Sequence, residues 1–353
     1  MEAWFLREWQ RLSLWQVLLR PLSWVFAWLV LLRRSLYRTG ILKSERIDVP
    51  IIVVGNISVG GTGKTPVVLA IAKYLGQLGW HCGIISRGYS RRNAETQKRL
   101  EDANDHVLQV AIEAADVISD EAVILARRSG VPVYISANRA AAARSLLRDH
   151  VEVDVLICDD GLQHYALSRD LEICVIDGAR GLGNGALLPA GPLREPAQRL
   201  KEVDAIVING TATSGPSNSA PSIRGLPTYS MTLGNESLVR VIDDHGMSIE
   251  QGVVEFSTKR VLAIAGIGNP ARFFAHVAGL GFQPAESRAF PDHYAFTPTD
   301  FNRDAAEIIL MTEKDAVKCK AFADDRMWFM RVDAILPEAF GEFVVQRLSE
   351  LKK

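Results

Sequence analysis

An α/β fold, with a parallel sheet covered by helices on both faces, is what this sequence predicts, and three observations predict it. Short apolar runs bounded by Gly, Asp or Asn alternate with helical patterns, the rhythm of βαβ units whose crossover helices cover a sheet. One such run, residues 51–54, leads into a loop with glycines at 55, 60, 61 and 63 and then into a helical pattern, the strand–loop–helix order that binds phosphate. At 353 residues the chain exceeds the ~250–300 residues at which one core stops growing, so a second, smaller α/β domain is expected.

The N-terminal segment, residues 12–37, is rich in Trp, Leu and Val, is split by Arg20 and is closed by Arg33 and Arg34. Its uncharged stretch, residues 21–32, has 12 residues against the ~20 needed to span a bilayer core. No small-residue cleavage site follows its apolar part, which argues against a removable signal peptide. Trp15, Trp24 and Trp28 flanked by Arg20, Arg33, Arg34 and Arg38 suit a helix lying in the headgroup layer; an apolar helix packed on the protein body is the plainer reading.

Six strands are predicted at 51–54, 83–86, 131–135, 153–158, 171–176 and 205–208, all able to join one sheet. Residues 211–221, almost free of apolar side chains, read as a linker, and the alternating stretches 228–232 and 238–242 as a two-stranded connection. A second α/β unit follows: a strand at 261–265, Asn269-Pro270 at a helix start, the capping-box-like Thr297-Pro298-Thr299-Asp300, and a strand at 308–311. Residues 338–351 pattern as a closing helix.

Composition is that of a globular enzyme, 48% hydrophobic and 23% charged, and the net charge of −1 gives no global attraction to nucleic acid. The four cysteines, Cys82, Cys158, Cys174 and Cys319, form no CxxC pair and read as reduced core residues rather than zinc or redox ligands.

The chemistry starts at the loop. Phosphate binding needs inward backbone N–H groups, glycines for close approach, a lysine for the outer phosphates and a hydroxyl for Mg²⁺. Gly60, Gly61, Gly63, Lys64 and Thr65 meet each need, with Thr62 inside the loop, while Ser58 stands where the general GxxxxGK[ST] pattern has its first glycine. Pro66 is tolerated because the first helical turn has spare N–H groups. The fold is therefore expected to be of the P-loop NTPase type.

Such a loop calls for an acid at the end of a neighbouring strand. Asp159-Asp160-Gly161 ends the predicted strand 153–158, as metal ligand or as a simple turn. Ser119-Asp120-Glu121 reads, from the residues alone, as a helix cap. Arg87, after the strand 83–86, and Arg139, after 131–135, lie at the carboxyl edge where ligands sit; Arg91 and Arg92 read as solvated. His164 and His293 are either structural or proton-transferring groups.

Taken together these motifs resemble the tetraacyldisaccharide 4′-kinase family of lipid A biosynthesis. The resemblance runs through Asn56–Pro66 including Ser58, then Ser86-Arg87-Gly88-Tyr89, Asp120-Glu121, Asp159-Asp160-Gly161-Leu162-Gln163-His164, Leu188 to Pro196 (LPAGPLREP), Asp292-His293 and Thr312-Glu313-Lys314-Asp315. It implies transfer of the ATP γ-phosphate to the 4′-hydroxyl of a tetraacylated glucosamine disaccharide 1-phosphate, at the cytoplasmic face of the inner membrane. By position it implies Lys64 and Thr65 on phosphates and Mg²⁺, Asp159 or Asp160 completing the metal shell, and Asp120 as base supported by His293. Glu121, Arg87, Tyr89, Arg139, Gln163, His164 and Glu195 resemble further active-site positions. The implied layout is a membrane-associating helix at 1–40, a P-loop kinase domain at 41–210, the linker and its two strands at 211–250, a second α/β domain at 251–335 and the closing helix at 336–353. The lipid precursor and the membrane surface are the expected partners, with no nucleic acid and no obligate protein.

A membrane-cycling ATPase of the partition or division-site type is the rival reading. Those proteins usually carry a lysine just before the two glycines, where this chain has Val59, and tend to place the membrane helix at the C-terminus. A P-loop enzyme acting on a soluble small molecule would leave the tryptophan-rich start unexplained.

Overall fold

The computed structural model describes Trp9 and residues 14–87, 107–110, 118–210, 225–301 and 305–351. Tyr89, Arg91, Arg92 and the predicted linker 211–221 lie outside the described residues.

The six strands expected in one sheet are adjacent in space. They are β1 (Ile51–Gly55), β2 (Cys82–Ser86), β4 (Val133–Ile135), β5 (Val155–Asp159), β6 (Leu171–Asp177) and β7 (Ala205–Asn209), with the two-residue β3 (Leu108–Gln109) at the edge. The order is β7-β6-β1-β5-β2-β4-β3, parallel at every step except the β4–β3 pair. Every residue of β1, β2, β5 and β6 is buried, which explains why these strands read as unbroken apolar runs: both faces are covered. Ile52 and Val54 of β1 face a core shared with α2 (Lys64–Gln77), α3 (Asp120–Ser129) and the closing helix α8 (Glu338–Leu351). Ile51 and Val53, one residue out of phase, face a second core shared with α4 (Arg139–Asp149). All four cysteines are buried and none is in a disulfide.

The sheet continues into the C-terminal half. Strands β10 (Val261–Ala265), β11 (Glu286–Ala289), β12 (Ile308–Thr312) and β13 (Met327–Ile335) run parallel in the order β11-β10-β12-β13. They carry helices α5 (Ile249–Phe256), α6 (Pro270–Gly279) and α7 (Glu313–Cys319). The two halves are joined by the 13-residue strand β8, Thr228–Arg240. Its first residues pair parallel with β7, and the stretch from Thr232 to Arg240 pairs antiparallel with β13. The stretches read as two strands are thus one. Gly234 and Asn235 between them lie within the strand, with Asn235 at φ 51 and a register shift between Arg331 and Asp333 on the partner. The short β9 (Gly246–Ser248) pairs on β8.

The N-terminal helix α1, Leu14–Arg38, contains Pro21 and is inside out for a water-soluble helix. Gln16, Ser23 and Arg34 are buried, whereas Trp15, Leu18, Leu22, Val25 and Leu29, spaced three and four apart, are exposed, as are Trp24 and Trp28. Ser23 Oγ donates to the Leu187 carbonyl and accepts from the Ala190 N–H, both at 2.9 Å. Arg34 pairs with Glu202 and lies 4.0 Å from Glu195. The helix is long and apolar enough to cross a bilayer, and polar attachments near its middle, at Ser23, and toward its C-terminal end, at Arg34, hold one face to the body.

Candidate active site

The phosphate loop sits between β1 and α2. Gly60 (φ 99) and Gly63 (φ 92) hold left-handed backbone, and Gly63 is the residue preceding α2, whereas Ser58 does not. A serine is therefore tolerated where the general motif has glycine. Asn56, fully buried, donates to the Ser58 carbonyl at 2.8 Å and holds the loop from inside. The LPAGPLREP segment holds it from outside: Val59 N–H donates to the Pro192 carbonyl at 2.8 Å and Arg194 N–H to the Ile57 carbonyl at 2.7 Å. The far rim is held by Asn209, which donates to the Thr62 carbonyl at 3.1 Å, and by Arg180, which donates to the Gly61 carbonyl and pairs with Asp177 at 3.2 Å. A Cβ at Gly63 would lie 2.5 Å from Asn209 Nδ2 and 3.1 Å from Met231 Cε. Gly63→Ala, strained in φ as well, is expected to weaken ATP affinity at least ~10-fold, checked by nucleotide titration of the folded variant.

Lys64 and the acid pair meet across adjacent strands, because β1 and β5 are parallel neighbours with Val54 opposite Asp159. Lys64 Nζ is 3.4 Å from Asp160 Oδ1, and Arg194 is 3.5 Å from Asp160 Oδ2. Asp160 itself has φ 49. Asp159 is buried; Ser86 of β2 donates to its Oδ2 at 3.3 Å, and its Oδ1 has no hydrogen-bond partner. Burial, reinforced by the Asp160 charge, pushes Asp159 up to about 7. Asp160, although burial opposes it, is held low by the Lys64 and Arg194 charges.

These residues fit a divalent cation. An orphaned, buried carboxylate oxygen beside a helix-start threonine and a phosphate loop is the donor set Mg²⁺ takes when phosphate oxygens and water complete its octahedron. Among the described residues there is no cluster of three or more His, Cys, Asp or Glu side chains able to hold a metal without such help. The sign of the pH dependence follows. With a folded value of about 7 against an ordinary 3.8, the stability carried by Asp159 is full below about 3.8 and is lost as pH rises to about 7. A cation must displace that proton, so Mg²⁺-ADP affinity is expected to rise about tenfold from pH 6 to pH 8. Calorimetric titration at the two pH values checks this, and equal affinities would contradict it.

A second group of charges lies where α3 meets the C-terminal half. Ser119 caps α3, accepting from the Ala122 N–H at 3.3 Å, so Asp120 opens the helix. Its Oδ2 lies 3.9 Å from His293 Nδ1 and 3.9 Å from Lys318 Nζ. Glu121 pairs with Lys314 at 2.8 Å, and Lys314 also approaches Asp292 at 3.5 Å and the His293 ring at 3.4 Å. Glu121, against the effect of burial, is held low by Lys314. The Thr312–Asp315 motif, which sequence left without contacts, caps α7. Thr312 Oγ1 donates to Asp315 Oδ2 at 2.7 Å, Asp315 N–H returns to Thr312 at 3.2 Å, and Lys314 crosses to Glu121. Lys318 went unread because nothing in a single helical lysine marks it out.

Arg87 follows β2 at the sheet's carboxyl edge. Arg139, buried at the start of α4 behind its Asn138 cap, has an Nε without a hydrogen-bond partner. His164 is pushed down to about 3 by burial and then by Arg139, Arg169, Arg33 and Arg87, so its ring is neutral at physiological pH. Gln163 donates to the Asn56 carbonyl and to Glu195, both at 2.9 Å. Glu195 is buried and also accepts from Tyr165, which places it under the phosphate loop rather than beside Asp120. Tyr89 lies outside the described residues.

A mainly parallel sheet with a phosphate loop after one of its inner strands and an acid pair at the end of the next defines a P-loop nucleotide-binding protein. The family model described as tetraacyldisaccharide-1-P 4′-kinase matches residues 15–349. Tetraacyldisaccharide 4′-kinase of Methylobacillus flagellatus is 46% identical over 348 residues, 99% of this chain and 96% of that protein. The enzyme of the same name from Herminiimonas arsenicoxydans is 44% identical over 355 residues, 99% of this chain and 96% of that protein. The crystal structure described as the "apo" form of LpxK from Aquifex aeolicus in complex with ATP superposes with a TM-score of 0.76 at 28% identity, over 95% of this chain and 100% of that one. The chain belongs to the tetraacyldisaccharide 4′-kinase family, and it is an ATP-using kinase.

Proposed function

We propose that the chain moves the γ-phosphoryl group of ATP to the 4′-hydroxyl of a tetraacylated glucosamine disaccharide 1-phosphate, with Mg²⁺, at the cytoplasmic face of the inner membrane. The observation that carries this reading beyond the family name is the continuity between α1 and the phosphate loop. The exposed apolar face of α1 is tied through Ser23 to Leu187 and Ala190, and the same segment at Pro192 bonds Val59 of the loop. One rigid path thus joins a lipid-facing surface to the phosphate-binding backbone. Each large apolar side chain that enters the acyl boundary gains about 1.5–3 kcal/mol, enough for a few of them to hold the protein on a bilayer.

In this reading the 60–65 loop amides and Lys64 bind and align the phosphates. Bound Mg²⁺ would neutralise charge developing on the β- and γ-oxygens, held by Thr65 and by Asp159 or Asp160. Asp120 accepts the proton of the 4′-hydroxyl as the new O–P bond forms, while the bond from Pγ to the bridging oxygen breaks and its electron pair leaves with ADP. His293 steadies Asp120, and the arginines around neutral His164 supply a positive field for an anionic acceptor.

Two experiments test the reading. Incubation with labelled ATP and a bacterial lipid extract is expected to place label in the chloroform phase; label confined to free phosphate would favour a switch ATPase. Replacing Trp24 and Trp28 with Ser is expected to reduce flotation with anionic vesicles at least ~10-fold and to leave turnover on detergent-dispersed acceptor within about 3-fold; unchanged flotation would detach α1 from the membrane.

A further inference from the structure

We propose that Lys318 is a positioning residue for Asp120, holding the carboxylate so that one of its oxygens faces the acceptor hydroxyl. The inference rests on Asp120 being the base and assigns how the C-terminal half aims it.

Lys318 is built in more firmly than an incidental surface lysine. Its side chain is 1% exposed, and its ammonium donates to Asp315 Oδ1 at 2.8 Å and to the Gly266 carbonyl at 3.2 Å. Asp315, itself fully buried, accepts from the Gly266 N–H at 2.9 Å and from Thr312 at 2.7 Å. Gly266 follows β10 and Thr312 ends β12, so adjacent strand ends and one face of α7 fix the ammonium from several directions. The Phe296 ring, 5.6 Å from the nitrogen, closes a further side. From that seat Lys318 reaches across to α3, 3.9 Å from Asp120 Oδ2.

Lys314, one turn earlier, also lies in the field of Asp120, but its direct contacts are with Glu121, Asp292 and the His293 ring, whereas Lys318 has an ion-pair distance to Asp120 itself. Lys318 and His293 both meet the same oxygen of Asp120. Oδ2 is therefore steered by two groups from the C-terminal half, and Oδ1 is the oxygen turned to the incoming hydroxyl. At 3.9 Å the ammonium is beyond hydrogen-bond reach, so it orients the carboxylate by charge without occupying its lone pairs.

The test is a double-mutant cycle on lipid-acceptor turnover. Lys318→Met alone strands the Asp315 carboxylate, so the pair Lys318→Met with Asp315→Asn is used, read against Asp315→Asn alone; removing both charges keeps the pocket neutral and the bonds to Gly266 and Thr312 possible. The pair is expected to lower kcat about 100-fold with ATP affinity within about 2-fold, the size of effect a misaimed base produces. In an Asp120→Asn background the same pair is expected to change kcat by less than about 2-fold, because the group it aims is already gone. Wild-type kcat in the pair, a fall in ATP affinity that accounts for the loss, or losses that multiply in the Asp120→Asn background would overturn the proposal while leaving the base assignment intact. Wild-type kcat in Asp120→Asn itself would remove the base assignment, and this inference with it.

Discussion

Lys64→Ala is expected to abolish nucleotide-dependent chemistry, with kcat/KM falling about 10³-fold or more. Lys64 is half-buried at the first turn of α2, with its ammonium 3.4 Å from Asp160. In the absence of nucleotide that carboxylate neutralises it; when phosphates arrive they present far more negative charge and draw the ammonium onto their oxygens. Truncation removes the mobile cation that follows charge onto the γ-phosphate, and it also leaves Asp160 facing the phosphates without its strongest opposing charge. Both losses act on the transition state, so kcat falls as well as ATP affinity. Steady-state kinetics with ATP titration check this; a loss confined to KM would mean that Lys64 only anchors the ground state.

Asp120→Asn should separate binding from chemistry. Asparagine keeps the size and the helix-opening position of the side chain but cannot take the acceptor proton, so kcat is expected to fall about 10²–10⁴-fold with ATP affinity within about 2-fold. The affinity should survive because the phosphate loop is held by Asn56, Pro192 and Asn209 and not by Asp120. Single-turnover kinetics with equilibrium ATP binding give both quantities, and unchanged turnover would take Asp120 out of the mechanism.

The first half of the fold was open to reading because its strands are buried on both faces and its loop carries glycines that the backbone needs. β1, β5 and β6 could hardly be polar, and Gly60 and Gly63 sit at φ 99 and 92. The second half hides more. β11, Glu286–Ala289, has three exposed residues and one partly exposed, so no apolar run marks it. β8 carries a turn-like Gly-Asn pair in its middle, and only pairing with β7 on one side and β13 on the other makes it one strand. Tertiary pairing overrode the local signal there.

At the site, Lys64 and the acid pair could be read from the residues themselves, as a loop lysine and strand-end acids, whereas the residues alone made Asp120 part of a helix start and only the resemblance proposes it as a base. In the structure the cap is Ser119, and Asp120 is the first residue of α3. What separates a cap from a base is which groups stand opposite, and His293 and Lys318 come from 173 and 198 residues away. No local pattern encodes that meeting. Glu195 was legible only as a further active-site position without a role, and its contacts supply one the sequence could not: buried, it accepts from Gln163, which also bonds the Asn56 carbonyl behind the phosphate loop.

The most direct measurement is the mass of the lipid recovered after Mg²⁺-ATP is incubated with vesicles containing a monophosphorylated tetraacyl disaccharide. The account predicts one added phosphoryl group, on the sugar that does not bear the original phosphate, and no such product with Lys64→Ala. Unchanged acceptor beside ATP converted to ADP and free phosphate would contradict it.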